Sequence, residues 1–275
     1  MSPDYSFSRF VYFDTNIISE LVKRKHLWRS LFDFLQRNDL TLGLSGAQAV
    51  ELSDVIGLRD DVAALMLGVP SACLKPWDTI LDEEVRAHPH LRNDSLLLYP
   101  INAMLLEPGG IQKFRDFFSS EGLRAVRNDQ LNDARQMAAV HARLKDNFPT
   151  SKTGKYTLHE ADQFAWAMVI QWLASTHNDF LATFREDIES FHPEVFLSIQ
   201  LLAHVIFHKY YVGQREPASL SDFGDLFHLA CIPYCELAVV ERDLCSILGQ
   251  IKRHQDVLKS TVVRNIDFLE DWSWR

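Results

Sequence analysis

The heptapeptide FVYFDTN, residues 10–16, constrains this chain more than any other stretch. Its apolar run stops abruptly at Asp14, Thr15 and Asn16, and an amphipathic pattern begins at Ile17. A short run that is apolar at every position suits a strand covered on both faces, as in parallel sheets. Such a strand presents Asp14 at its C-terminal tip, where open α/β sheets place their chemistry. An Asp before a helix is equally a common cap, so Asp14 alone decides nothing. Several acids converging on it would make a site for a divalent cation.

The first 80 residues read as βαβαβ. Strands are expected at 9–14, 40–44 and 72–75, with one helix over 17–37 and another capped by Ser45 or Gly46. A further turn starts at Asp60 and Asp61. From 77 to 219 helical periodicity takes over, at 111–118, 131–144, 161–173 and 195–211. Pro108-Gly109-Gly110 and residues 149–154 separate these patterns. The stretch reads as a helical insertion or cap with few strand-like runs. Alternation then returns: a helix at 222–232 stopped by Pro233, a strand at 236–240, a helix at 242–253 and a strand at 261–266. The expected organisation is a split sheet domain, 1–76 with 220–275, around a helical segment 77–219. Sequential βαβ units favour a parallel sheet with right-handed crossovers.

Composition narrows the function classes. The chain has 275 residues, 47% of them hydrophobic, enough for a sizeable core. No apolar run reaches 18 residues, so no membrane span is expected. Residues 1–8 lack the basic-then-apolar order of a signal peptide. The four cysteines have no zinc-type pairing, and Cys231 and Cys235 straddle Pro233 in an apolar segment, so they read as buried thiols. A reducing cytoplasm is the expected location. The net charge of −9 argues against a broad electrostatic grip on nucleic acid and leaves room only for a local basic strip.

Five further acids, at three places in the chain, match Asp14 in placement. Glu51 lies in SGAQAVELSDV, flanked by apolar Val50 and Leu52. Asp225 lies in SDFGDLFHLACIPYC, with Asp222 three residues earlier. Glu241 ends the strand ELAVV, and Asp243 follows two residues later. A parallel sheet can bring these together at its C-terminal edge, where carboxylates suit Mg²⁺ or Mn²⁺. Asn16 is placed to orient Asp14 or a bound water. Each acid also has a simpler reading. Glu51 is a surface residue, Asp222 or Asp225 caps a helix, and Glu241 and Asp243 are favourable first-turn acids. Their joint occurrence in this order shifts the balance toward a site.

FVYFDTNIISEL resembles the opening of a PIN-domain nuclease, SGAQAVELSDV its second motif, and SDFGDLFHLACIPYCELAVVERDL the closing half of larger bacterial members. The resemblance covers roughly 9–76 and 220–266. It implies an α/β fold, a three-layer α/β/α sandwich with a central parallel sheet, here with the large α-helical insertion. It also implies that Asp14, Glu51, Asp225 and Glu241 hold one or two Mg²⁺ or Mn²⁺ ions, with Asn16, Asp222 and Asp243 supporting. Asp243 competes with Glu241 for the fourth position, and Asp222 with Asp225. The activity it implies is metal-dependent hydrolysis of RNA phosphodiester bonds, as in a toxin, a defence effector or a processing enzyme. RNA is the expected substrate, DNA the alternative, and a second copy or a regulatory protein the expected protein partner. Two other functions compete. One is a non-catalytic protein that keeps the fold and binds a partner. The other is a phosphatase with Asp14 as nucleophile, which wants an acid where Asn16 stands.

The remaining chemistry-bearing residues read as structural. His228, one turn after Asp225, is within reach of the site or the substrate but reads first as a core or helix-face histidine, and Lys23, Arg24 and Lys25 read as a solvated face before a phosphate contact. His88 and His90 flank Pro89 in a loop. Phe164, Trp166 and Trp172, and likewise Tyr210 and Tyr211 beside Lys209, are packing residues before they are base-stacking platforms. Asp267, Glu270 and Asp271 suggest a solvated end, with Trp272 and Trp274 docking on the body or on another subunit.

Overall fold

A computed structural model describes residues 9–54, 56–145, 147–148, 155–215 and 220–272. The expectations for residues 1–8, the breaker 149–154 and Trp274 lie outside the described residues. The architecture grows from β1 (Arg9–Phe13), whose last four residues are all buried. Successive strand side chains point to opposite faces. Phe10 and Tyr12 accordingly enter one apolar cluster, while Val11 and Phe13 enter another. A strand wetted on neither face must sit in the middle of a sheet.

β1 pairs in parallel with β2 (Leu40–Leu44) on one side and β5 (Leu237–Val239) on the other. β3 (Ser71–Leu74) lies beyond β2, and β6 (Val262–Arg264) beyond β5. The sixth strand, β4 (Leu97–Pro100), pairs antiparallel with β3, giving the order β4-β3-β2-β1-β5-β6. The sheet is therefore mostly parallel rather than wholly so. β4 lies inside 77–219, where helical periodicity dominates and few strand-like runs are expected. It is four residues long and only partly buried, with Leu98 exposed and Pro100 closing it, as suits an edge. No alternation long enough to read in sequence marks it.

Helices cover both faces. On the Val11 side lie α1 (Thr15–Lys23), α2 (Trp28–Arg37), α3 (Gly46–Asp54) and α4 (Arg59–Gly68). On the Tyr12 side α5 (Trp77–Ala87) joins the core. α6 (Ile101–Leu106) and α7 (Gly110–Phe117) return to the first face, which α14 (Asp267–Trp272) also joins. α8 (Glu121–Lys145), α9 (Leu158–Thr176), α11 (Leu197–Ile206) and α13 (Arg242–His254) build the second, with short α10 (Asn178–Ala182) and α12 (Ser221–Gly224) between them. Residues such as Met168, Trp172 and Leu202 share one cluster with Phe10 and Tyr12. The middle segment thus forms a layer of the sandwich against the sheet itself, rather than a cap appended to it. Among the described residues no single helix is long and apolar enough to cross a membrane.

Three local departures from the sequence pattern have physical causes. The helix expected over 17–37 is two helices joined by a 3₁₀ turn, Lys25–Leu27. The Trp28 indole donates to the Leu21 carbonyl at 2.8 Å, satisfying an acceptor left over at the α1 terminus. The helix expected over 222–232 stops at Gly224 and resumes as a 3₁₀ helix, Phe227–Tyr234. Pro233 inside that stretch lacks an N–H and disfavours the α conformation at Ile232. The last predicted helix of the middle segment runs as α11 and then as a π-helix, Phe207–Val212. The terminal acids are paired rather than merely solvated: Glu270 meets Arg24 at 2.7 Å and Asp267 meets Arg242 at 3.1 Å. Cys231 and Cys235 are buried free thiols.

The layers on the Tyr12 side are cross-braced through Glu84 on α5. Its carboxyl accepts from the Ser198 backbone at 2.8 Å, from the Ser198 hydroxyl at 2.5 Å and from the Tyr234 hydroxyl. Burial pushes its pKa up to about 7 despite these donors. Because the folded value exceeds that of an unfolded Glu, the stability from neutral Glu84 is complete below the unfolded pKa and is lost as pH rises through the folded one. The loss is on the order of 3 kcal/mol between about pH 4.5 and 7. Glu84→Gln keeps an acceptor and cannot ionise. Urea unfolding of this variant is expected to show that decline flattened; an unchanged slope would remove Glu84 as its source.

Candidate functional site

The site forms where the chain reverses its direction of travel across the sheet. β2 and β3 lie to one side of β1, and β5 and β6 to the other, so the β1–β5 junction is a topological switch point. Loops leaving the C-terminal ends of two such strands diverge and leave a crevice. Asp14 follows β1 directly, and its backbone N–H donates to Val239 of β5 at 2.9 Å. Glu241, two residues after β5, is thereby brought beside it. The Asn16 side-chain amide, two residues beyond Asp14, donates to Glu241 Oε1 at 2.5 Å.

Glu51 arrives by a different device. Ser45 and Gln48 cap α3 reciprocally: the Ser45 N–H donates to Gln48 Oε1 at 2.8 Å, and the Gln48 N–H to Ser45 Oγ at 3.3 Å. The buried Gln48 amide also donates to the Phe13 carbonyl at the tip of β1. The start of α3 is therefore tied to the residue before Asp14, and Glu51 follows one turn later. Asp225 occupies the link between α12 and the 3₁₀ helix, so the α→3₁₀ break described above is what aims it.

Asp14, Glu51, Asp225 and Glu241 line one cavity of about 430 Å³, together with Asn16 and Asp243. Asp222 is not among the lining residues, so of the two acids on that segment it is Asp225 that faces the cavity. Both Glu241 and Asp243 line it and both are exposed, Asp243 lying 3.7 Å from Arg215. The cap reading of Asp14 also holds, since its Oδ1 accepts from the Thr15 N–H at 2.8 Å.

His228 stands among these acids. It is buried and stacks on Tyr12 with the rings 6.1 Å apart and nearly parallel. Its Nε2 lies 3.7 Å from Asp14 and its Nδ1 3.6 Å from Glu51. These are ion-pair distances, too long for hydrogen bonds, and Nδ1 has no hydrogen-bond partner. Burial opposes the imidazolium, but Glu51, then Asp14 and Asp225, outweigh it and hold the His228 pKa up. Burial likewise opposes ionisation of Glu51, and His228 turns the balance down. Asp14 stays raised, by burial and by Glu51 and Glu241 against the pull of His228. Asp225 is raised by burial and by Glu51. The cluster is thus a set of carboxylates around one buried imidazole whose protonated form they favour.

The donor set consists of carboxylate oxygens and one amide, the hard ligands that suit Mg²⁺ or Mn²⁺. Among the described residues no three His, Cys, Asp or Glu side chains already form a metal-holding group. The orphaned, buried Nδ1 of His228 beside Glu51 marks where charge is incompletely compensated.

Gln48, Lys209 and Arg215 escape the sequence reading. Gln48 carried a signal, the S-x-x-Q capping box. His228 is buried as expected and also lines the cavity. Lys209 and Arg215 face the acids from the middle segment, with no local pattern to mark them. The other weighed residues lie elsewhere. Arg24 and Lys25 pair with Glu20 and Asp61. His88 accepts from the His192 N–H at 3.0 Å. Trp172, Tyr210 and Tyr211 are buried in the core.

Compared with family models, with curated proteins and with solved structures, the chain gives no match in any of the three.

Two substitutions test the electrostatic balance. Asp225→Asn removes a carboxylate whose ionisation the fold opposes. In metal-free buffer it is expected to raise Tm at about pH 7 and to change it less near pH 4. His228→Ala leaves buried carboxylates facing one another and is expected to destabilise by about 3 kcal/mol in chemical denaturation. A His228→Ala protein as stable as wild type would show that the imidazole carries no charge there.

Proposed function

We propose that this chain is a metal-dependent nuclease of the PIN-like kind, hydrolysing RNA phosphodiester bonds. The observation that carries the reading is the convergence of Asp14, Glu51, Asp225 and Glu241 on one cavity at the switch point of a mostly parallel sheet. Four acids separated by up to 227 positions have no structural need to meet, and their mutual repulsion opposes the fold. A site that maintains such a cost at the open end of a sheet suits cation binding.

Asp14, Glu51, Asp225 and Glu241 are the residues that would hold Mg²⁺ or Mn²⁺. The ion, when bound, supplies a nucleophilic hydroxide at neutral pH and charge neutralisation at the scissile phosphate. The chain's own groups supply placement. Asn16 holds Glu241 by its side-chain amide, and Gln48 fixes α3 and with it Glu51. Thr15 fixes Asp14 through its backbone N–H. Asn16 carries no proton to give as an acid, which disfavours a phosphatase using Asp14 as nucleophile.

His228 supports a second reading. An imidazolium between Asp14 and Glu51 already compensates part of the cluster, as a protein that binds a partner without catalysis would need.

The two readings differ in one assay. Incubated with mixed RNA and DNA pools and Mn²⁺, the wild-type chain is expected to cleave RNA and to lose that activity in EDTA. Asp14→Asn, folded by circular dichroism, is expected to lose at least about 100-fold, the scale of one electrostatic stabiliser. In a thermal shift, Mn²⁺ at about 100 times its Kd is expected to stabilise wild type by about 2.7 kcal/mol and Asp14→Asn far less. A folded wild type that neither binds Mn²⁺ nor cleaves would favour the partner-binding reading.

A further inference from the structure

The acid-lined cavity also carries two side chains of opposite sign. Lys209 and Arg215 line it alongside Asp14, Asn16, Glu51 and Asp225. Both come from the middle segment, and both are set by one unusual turn. α11 runs into the π-helix Phe207–Val212, a rare conformation that is frequent at functional sites. The turn closes tightly: the Gly213 N–H donates to the His208 carbonyl at 2.9 Å, and the Arg215 N–H to the Lys209 carbonyl at 3.3 Å. A Cβ at Gly213 would stand 2.8 Å from the Lys209 carbonyl oxygen, so only glycine fits. Gln214 then takes φ of 52°, a left-handed conformation that costs free energy for a side-chain-bearing residue. A widened helix, an obligatory glycine and a left-handed Gln together place two cations at one cavity mouth.

Neutralising the acids accounts for only part of this arrangement: Lys209 favours the carboxylate of Asp225, but the other acids have partners of their own. Asp14 is held by Thr15 and His228, Glu51 faces His228, and Glu241 is held by Asn16. Among the described residues Arg215 pairs with the exposed Asp243, at 3.7 Å, a pair of a kind worth little. A cavity lined both by carboxylates and by two cations matches a phosphodiester beside a cation site. Its charge is met by the metal on one side and by Lys and Arg on the other.

Resting on the nuclease reading above, we infer that Lys209 and Arg215 are the phosphate-gripping residues of this site, holding the backbone of a single-stranded RNA beside the carboxylates. Two cations at the cavity reconcile nucleic-acid binding with a net charge of −9, because the grip is local.

The test is fluorescence anisotropy with a short labelled single-stranded RNA. Ca²⁺, which also takes carboxylate oxygens, replaces Mn²⁺ to hold back cleavage. Lys209→Ala and Arg215→Ala are each expected to weaken RNA binding about ten-fold and to lower the salt-dependence slope by about 0.7 per lost contact. Lys209→Arg is expected to retain binding. Mn²⁺ affinity by calorimetry is expected to stay at or above that of wild type in both alanine variants, because no ligand is removed. RNA affinity and salt slope unchanged in both variants would overturn the inference, and if wild type still cleaves, the nuclease reading survives it. A wild type that grips RNA through these two residues but cleaves nothing would leave the grip standing and remove the nuclease reading. A wild type that binds no RNA overturns the grip outright.

Discussion

The fold depends on β1 being buried on both faces. With Phe10 and Tyr12 committed to one apolar cluster and Val11 and Phe13 to the other, this strand takes the centre of the sheet and helices must cover each side. A central strand whose neighbours come from distant parts of the chain is also where the crevice opens. The hydrogen bond from Asp14 to Val239 and that from Gln48 to Phe13 fasten the β5 loop and α3 to the same strand tip. The site inherits its geometry from the backbone ladder, and its side chains inherit theirs from two capping interactions.

Charge is organised in layers around that tip. Glu51 and His228 each favour the other's charged form against burial, while Asp14 and Asp225 remain raised. Buried carboxylates that crowd one imidazolium sacrifice stability, and such sacrifices concentrate at functional sites. The second polar cluster, Glu84 with Ser198 and Tyr234, is different in kind. Donors from two other elements converge on it, and it braces the layers together.

The middle segment matters more than its helical periodicity suggests. It supplies the layer over the Tyr12 face, an antiparallel edge strand, and the π-helical turn that carries Lys209 and Arg215 to the cavity. Its helices read clearly because apolar residues recur at the helical period along α9 and α11. β4 does not read, because four half-exposed residues carry no period. The π-helix does not read either, because one extra residue per turn leaves a local pattern close to that of an α-helix.

By itself the sequence determined the buried strands and the amphipathic helices that follow them. Leu40–Leu44 agrees to the residue, and Arg242–His254 to within one. It also placed acids at strand ends and early in helices, because such patterns are local and each follows from a few neighbouring side chains. Only the tertiary structure decided that Asp225 rather than Asp222 faces the cavity and that the helix before Pro233 breaks into a 3₁₀ turn. It also decided that His228 sits among the acids and that two cations line the cavity with them. Those outcomes depend on strand order and on packing between segments about 200 residues apart, which no short-range spacing records.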